Sequence, residues 1–262
     1  MSLIQDIKPL ASTPQRADFS KLSILLGVDS LIYGLWAEGE WLAFRQMMPG
    51  ALQDRRQWSA VLAKWLGEED FWGVQPSSVR IGFGHTRFTL LPKRLFSLQH
   101  KRSYLEKLVP LNPQDLLQAD MIEWLGSVLV YAMEHTLPKL FSARFPTAAF
   151  THFGSALLRR QRQRRDEGPH IQLCVLERML YFTAISYEHL HFFNAFPWQD
   201  TNDALYYTAL VFEQAGFDRS TTPLYLCGML EKDAKFVRSL KPWFPKLSWE
   251  EPHHKTFALD VL

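Results

Sequence analysis

The chain has 262 residues, 47% hydrophobic and 21% charged, which is apolar material for one or two well-packed globular domains. A net charge of +2 provides no overall field to attract nucleic acid or an acidic membrane. No stretch is long and apolar enough for a transmembrane helix, and Cys174 and Cys227, the two cysteines, read as reduced thiols of a cytoplasmic protein.

Residues 1–18 carry Asp6, Pro9 and Pro14 and no long apolar run, so they read as a loose polar arm rather than a signal peptide. Lys21–Leu26, Leu31–Trp36 and Trp41–Met47 are β-rich runs, the last two joined by the turn residues Ala37 to Glu40. Asp54 is a helix cap. Trp58, Val61, Leu62, Trp65 and Leu66 then recur at helical spacing up to Gly67. Val79–Gly84 and Thr86–Leu91 read as strands, and Leu98–Leu108 as a helix. Leu116–Glu123 and Ser127–Met133 are strands, Leu137–Phe145 a helix ending before Pro146, and Ala148–His152 a short strand. Ser155–Arg165 is a helix that becomes strongly basic, and Gly168-Pro169 marks a boundary. Strands follow at His170–Leu176, Met179–Ser186 and Leu190–Phe196. A helix spans Asp203–Ala215 and stops at Gly216. Leu224–Gly228 is a fourth strand, Glu231–Lys241 a helix and Leu247–Trp249 a fifth strand. The tail from Pro252 reads as peripheral.

The two halves repeat one pattern. Leu22, Ile24, Leu26, Leu31, Tyr33, Trp41, Ala43 and Phe44 align without a gap on Ile171, Leu173, Val175, Leu180, Phe182, Leu190, Phe192 and Phe193 (171 − 22 = 149). The same spacing carries Asp54 onto Asp203 and Gly67 onto Gly216. Three antiparallel strands, a crossover helix and a parallel strand make the ribonuclease-H-like order. Two tandem copies make the architecture of actin-like ATPases, Hsp70 and sugar kinases. The expected fold class is therefore α/β, two such lobes of mixed five-stranded sheets flanked by helices. The lobes are expected at 19–167, with an inserted segment at about 93–134, and at 168–250.

The span from Phe19 to Trp249 resembles an uncharacterised bacterial family, domain of unknown function 3822, with an actin-like ATPase fold. The carrying stretches are Ser127–Ala132, Phe145–His152, His191–Phe196 leading to Asp203–Tyr207, and Leu224–Gly228. More distantly the chain is similar to the actin-like assembly proteins of type IV pili and type II secretion. The resemblance implies an Asp on the first strand of each lobe to position Mg²⁺, followed by a Gly-rich turn for phosphate. Aligning Gly27 on that pattern puts Leu25 at the Asp position, Val28, Asp29 and Ser30 in the turn, and Ile32 near a customary Lys. In the second half Cys174 takes the Asp position, and the turn is Leu176, Glu177, Arg178 and Met179, without glycine. The adenosine segment keeps one glycine, Gly228. Apolar side chains cannot hold Mg²⁺ against phosphate, so no ATP hydrolysis and no resident cofactor or metal are expected. Asp29 is the substitute carboxylate, read by itself as a solvated turn residue. The missing first-strand acids also exclude paired-metal nuclease chemistry.

Other candidates are weaker. Arg159, Arg160, Arg162, Arg164 and Arg165 form a possible patch for an anionic partner, against the plain reading of a solvated helix end. His189 and His191 share a strand face but lack further zinc ligands nearby, and His253-His254 lies in the tail. His152 sits at a strand-to-helix turn and reads as satisfying backbone groups. Cys174 and Cys227 fall on strands expected to be neighbours. No nucleophile-elbow motif supports a hydrolase. Phe192, Phe193, Phe196, Trp198, Tyr206 and Tyr207 cluster on the third strand and next helix, and any that emerge form a protein-binding patch. The expectation is a non-catalytic interaction or scaffold module with a protein partner, or a homodimer, and no nucleic acid. The competing expectation is a divergent nucleotide enzyme using Asp29, Ser30 and Glu177.

Overall fold

The computed structural model describes residues 3–8, 20–28, 30–48, 55–68, 73, 75–164, 166–230, 235–250 and 256–262, with residues 3–8 and 55–58 by backbone alone. The chain forms two compact units: Met1–Met121 with Ser127–Phe153 and Leu262, and Ile122–Gly126 with Gly154–Val261.

In the first unit, β2 (Lys21–Leu26), β3 (Leu31–Ala37) and β4 (Glu40–Met48) form an antiparallel meander. Glu38 (φ 53°) and Gly39 (φ 87°) turn β3 into β4, the two positive-φ residues that a tight hairpin needs. β5 (Ser78–Phe83) and β9 (Ala149–His152) add in parallel after crossovers, one of which contains α1 (Arg55–Glu68). Against expectation, the N-terminal arm contributes β1 (Leu3–Lys8), which pairs antiparallel with β4. The composite order is β1-β4-β3-β2-β5-β9. A second, three-stranded sheet ordered β6-β8-β7 (β6 Phe88–Pro92, β7 Leu116–Ile122, β8 Ser127–Met133) packs on α2 (Lys101–Leu105) over a small core of Leu105, Val128, Val130 and Ala132. The helix expected over Leu98–Leu108 is only a 3₁₀ turn plus α2. Its single buried side chain, Leu105, gives little apolar face to extend it. α3 (Thr136–Arg144) takes Pro138 in its first turn, where no N–H is missed.

The second unit has α4 (Phe153–Arg160), then β10 (His170–Val175), β11 (Met179–Ser186) and β12 (His189–Pro197), α5 (Thr201–Ala215), β13 (Leu224–Gly228), α6 (Lys235–Leu240) and β14 (Leu247–Trp249). Its sheet order is β12-β11-β10-β13-β14. Ile171, Leu173 and Val175 face Val211, Phe212, Val237 and Phe244 in one core. Burying each such side chain is worth about 1.5–3 kcal/mol.

The repeat holds at the level of register. Lys21 stands opposite Trp36, and His170 opposite Ile185; Leu22 pairs with Val79, and Ile171 with Leu224. The third strands even slip at the same place, between Leu35 and Trp36 and between Ala184 and Ile185. A shared bulge is a specific backbone feature that chance resemblance between meanders does not reproduce.

Other expectations needed adjustment. The cap of α5 is Asp200, not Asp203. Asp200 is extended and its carboxylate accepts the Asn202 and Asp203 N–H groups, while Asp203 reaches back to the Gln199 N–H. Gly216 (φ 70°) ends α5 as expected, but Gly67 lies inside α1, which continues to Glu68. The C-terminal stretch is not peripheral: α7 (Phe257–Asp260) buries Phe257, Ala258 and Leu259. Asp54, Glu231, Pro252 and His253-His254 lie outside the described residues. No described helix is long and apolar enough to cross a membrane.

Candidate functional site

The carboxyl end of β2 is where the family resemblance places a metal-binding acid. Leu25 there is 1% exposed, and it closes with Leu262 over the bare backbone of Gly82. The following turn is tied by the Gly27 N–H donating to the Ser30 carbonyl (2.8 Å), and Ile32 is buried. Asp29 lies outside the described residues.

In the second unit Cys174 is buried opposite Cys227 in the β10–β13 ladder, as the strand assignment implied. Burial first, then the adjoining Cys174 thiol, pushes the Cys227 thiol well above its ordinary range, so it stays protonated and unreactive. The turn repeats the first unit's bond, Leu176 N–H to the Met179 carbonyl at 2.8 Å. Glu177 is half-buried and Arg178 exposed. Gly228 has φ 98°, and a Cβ there would lie 2.2 Å from the Val175 carbonyl oxygen, so the close approach of β13 to β10 requires glycine.

The structure adds a cluster that sequence reading missed. At the carboxyl ends of the parallel strands β2 and β5, Leu26, Gly27, Val28, Phe83, His85, Arg87, Ala132, Met133, Glu134 and Leu137 enclose a pocket of about 80 Å³. Strand ends of this kind are where open α/β sheets bind ligands. Arg87 is buried (6% exposed) and paired with buried Asp115; its Nε has no hydrogen-bond partner among the described residues. Glu134 accepts hydrogen bonds from Ser59 and Thr136. Behind this wall His152 is fully buried, ringed by His85, Phe88 and Tyr131. Its Nε2 donates to the His85 carbonyl (3.0 Å), the backbone role expected from sequence, and burial pushes its pKa down to about 3. Asp120 accepts from the Thr151 hydroxyl and the His152 N–H. The only sequence signal for the cluster was the polar His85-Thr86-Arg87 interruption between two strands.

The described arginines of the run are placed differently from one another. Arg159 and Arg162 are exposed, whereas Arg160 lies over the Phe257 ring (4.9 Å). Arg164 lies over Tyr225 (3.7 Å) and bonds Glu167 and Glu250; Gln172 joins Glu250. Burial opposes the Arg164 charge, but Glu167 and Glu250 outweigh it and hold the guanidinium more firmly protonated. Arg165 lies outside the described residues. His189 and His191 are exposed, and no group of three metal-type ligands exists among the described residues. Of the aromatic cluster, Phe196 stacks on Tyr207 at 4.3 Å and on Phe192 at 6.3 Å. Tyr206 is 63% exposed.

A sheet order of this kind, present twice with helices on its faces, defines the actin-like ATPase class of folds. Within it, the model of the family described as "Protein of unknown function (DUF3822)" matches residues 11–247, and the chain belongs to that family. It is similar to a Bacteroides thetaiotaomicron protein with actin-like ATPase fold and unknown function (TM-score 0.81, 17% identity, 95% of this chain and 96% of that one). It is also similar to a chain of the PilM-PilN type IV pilus biogenesis complex (TM-score 0.54, 12%, 93% and 90%). A third similar structure is ethanolamine utilization protein EutJ from Carboxydothermus hydrogenoformans (TM-score 0.52, 8%, 92% and 88%). At such identities the likeness is one of fold. No curated protein matches the sequence.

Proposed function

We propose that this chain is a cytoplasmic, non-catalytic actin-like module that works by holding a protein partner and does not hydrolyse ATP. The observation that carries the reading is Leu25. Where the resemblance calls for a carboxylate facing solvent and Mg²⁺, a leucine is packed against Leu262 and Gly82. A buried alkyl group offers no charge to a metal–phosphate complex. Cys174, its counterpart, is equally buried and sits beside a protonated thiol. The remaining glycine, Gly228, is explained by strand packing alone.

Protein binding is supported by the PilM-PilN complex, a protein of similar fold seen with a partner. The pocket at the ends of β2 and β5 favours the same reading. At about 80 Å³ it is far below the roughly 300–1,000 Å³ of small-molecule sites and suits one apolar side chain of a partner. Arg162 is exposed and would meet an acidic element on that partner.

The test is the melting temperature of the purified chain with and without millimolar Mg-ATP. A ligand at about 100 times its dissociation constant stabilises by about 2.7 kcal/mol. No shift is expected. A clear upward shift that Asp29→Ala abolishes overturns the reading in favour of a nucleotide-binding enzyme.

A further inference from the structure

The third strands of the two repeats end in different situations. β4 is flanked on its outer side by β1, which pairs with it over Leu3–Lys8. β12, its counterpart, is the outermost strand of its sheet among the described residues. The equivalence rests on the constant spacing and on the bulge that both strands share.

The two edges differ in exposure. Ile4 stands opposite Met47, and Met47 is 1% exposed. Phe196 occupies the Met47 position in the second repeat (196 − 47 = 149) and is only half-buried. Phe192 and Phe196 pack against the core of their unit with Tyr207 of α5 stacked on Phe196, so what β12 leaves open among the described residues is its outer backbone edge. The Ala195 N–H is met by the Asn194 side chain of its own strand (2.8 Å).

Charge says what fits there. Exposed edge strands usually carry lysine or other charges that prevent edge-to-edge pairing. β4 carries Glu40 and Arg45, and Asp6 of β1 stands opposite Arg45. The nine residues His189–Pro197 contain no Asp, Glu, Lys or Arg. When two identical strands pair across a two-fold axis, each charge meets its like close to the axis, which is destabilising. β12 has no such charge in any register, so pairing with its own copy meets no like-charge repulsion within the strand.

We propose that β12 is a self-association edge. Two copies of this chain pair there antiparallel, joining their five-stranded sheets into one continuous sheet. Pro197, which has no N–H, sets one end of the paired segment. This inference goes beyond the proposed function and does not depend on it: a dimer that binds Mg-ATP refutes only the earlier reading.

The experiment is sedimentation of the full chain from about 1 to about 100 µM. The expected mass rises to twice the 30.5 kDa of the chain. Asn194→Lys and, separately, His191→Lys place a charge at exposed edge positions. Each is expected to weaken the dimer by roughly tenfold or more while circular dichroism stays unchanged. Asn194→Lys also loses the Ala195 hydrogen bond and His191→Lys the Phe217 ring contact, so the melting of each variant is compared at a concentration where the chain is monomeric. If a lysine variant misfolds, hydrogen exchange on the unaltered chain decides: amide protection over residues 189–197 must increase with concentration. A mass of 30.5 kDa throughout that range overturns the proposal and leaves the edge to a different protein. A dimer indifferent to both lysines also overturns it.

Discussion

The hairpin turns that open the two repeats make the same hydrogen bond with different residues. Gly27 donates to Ser30 in one and Leu176 donates to Met179 in the other, each at 2.8 Å. The fourth strands leave their sheets alike too, by Gly84 N–H to the Leu26 carbonyl and Met229 N–H to the Val175 carbonyl. The side chains on this common backbone have diverged. Phe83, buried against Phe141 and Phe150, holds the position that Gly228 holds in the second repeat. Backbone geometry here is fixed by ladder register, and a glycine in one repeat need not mark a ligand. What it marks must be found from what an added Cβ would meet.

The largest expected effect breaks the comparison at that fourth strand. Phe83 is tolerated in the first repeat, but Gly228→Ala drives a Cβ to within 2.2 Å of the Val175 backbone at a φ of 98°. We expect a loss above about 4 kcal/mol, read by urea unfolding. Gly39→Ala, at φ 87° but with nothing within 4 Å, isolates the conformational part and is expected to cost about 1 kcal/mol. Equal losses at the two sites would mean that strand approach is not the constraint.

The fifth strands sharpen the contrast through pH. Glu250 at the end of β14 is tied to Arg164 and Gln172, whereas β9 ends in the neutral, fully buried His152. Burial lowers the His152 pKa from 6.5 to about 3. Below pH 6.5 the unfolded chain therefore takes up a proton that the folded chain refuses until about pH 3. Stability falls across that window by about 1.4 kcal/mol per pH unit, or roughly 2–3 kcal/mol by pH 4.5. His152→Leu removes this contribution, so its unfolding free energy should fall less steeply between pH 7 and 4.5. Parallel pH profiles for the two proteins would refute the assignment.

The strands and the repeat were legible because alternating apolar residues dictate both their face and their register. Met179–Ser186, Leu224–Gly228 and Leu247–Trp249 appear at the expected bounds. β1 was hidden because its partner, β4, is contributed by residues some forty positions away, and Pro9 and Pro14 read locally as loop. α7 was hidden because four residues carry no periodicity, and only tertiary burial reveals them. The positions Leu25 and Cys174 could be located by alignment, but their packing could not. The His85, Arg87 and Glu134 cluster depends on an inserted sheet meeting the ends of β2 and β5, a long-range fact that no local spacing encodes.

The smallest expected effect lies at the turn itself. Gly27 has no positive φ, and Leu176 adopts the equivalent place, so the backbone accepts a side chain there. An added Cβ at Gly27 would meet the Ser30 Oγ at 2.9 Å and the Ser30 carbonyl oxygen at 3.3 Å. The first is the end of a small side chain that can rotate; the second is backbone but only tight. Met179 stands where Ser30 stands, so the second repeat has solved this contact differently. Gly27→Ala is therefore expected to cost below about 1 kcal/mol, and Ser30→Ala in the same chain should recover most of it. A cost above about 2 kcal/mol that Ser30→Ala does not relieve would show that the two turns share a hydrogen bond but not a conformation. In that case Gly27 would again need an explanation from function rather than from packing.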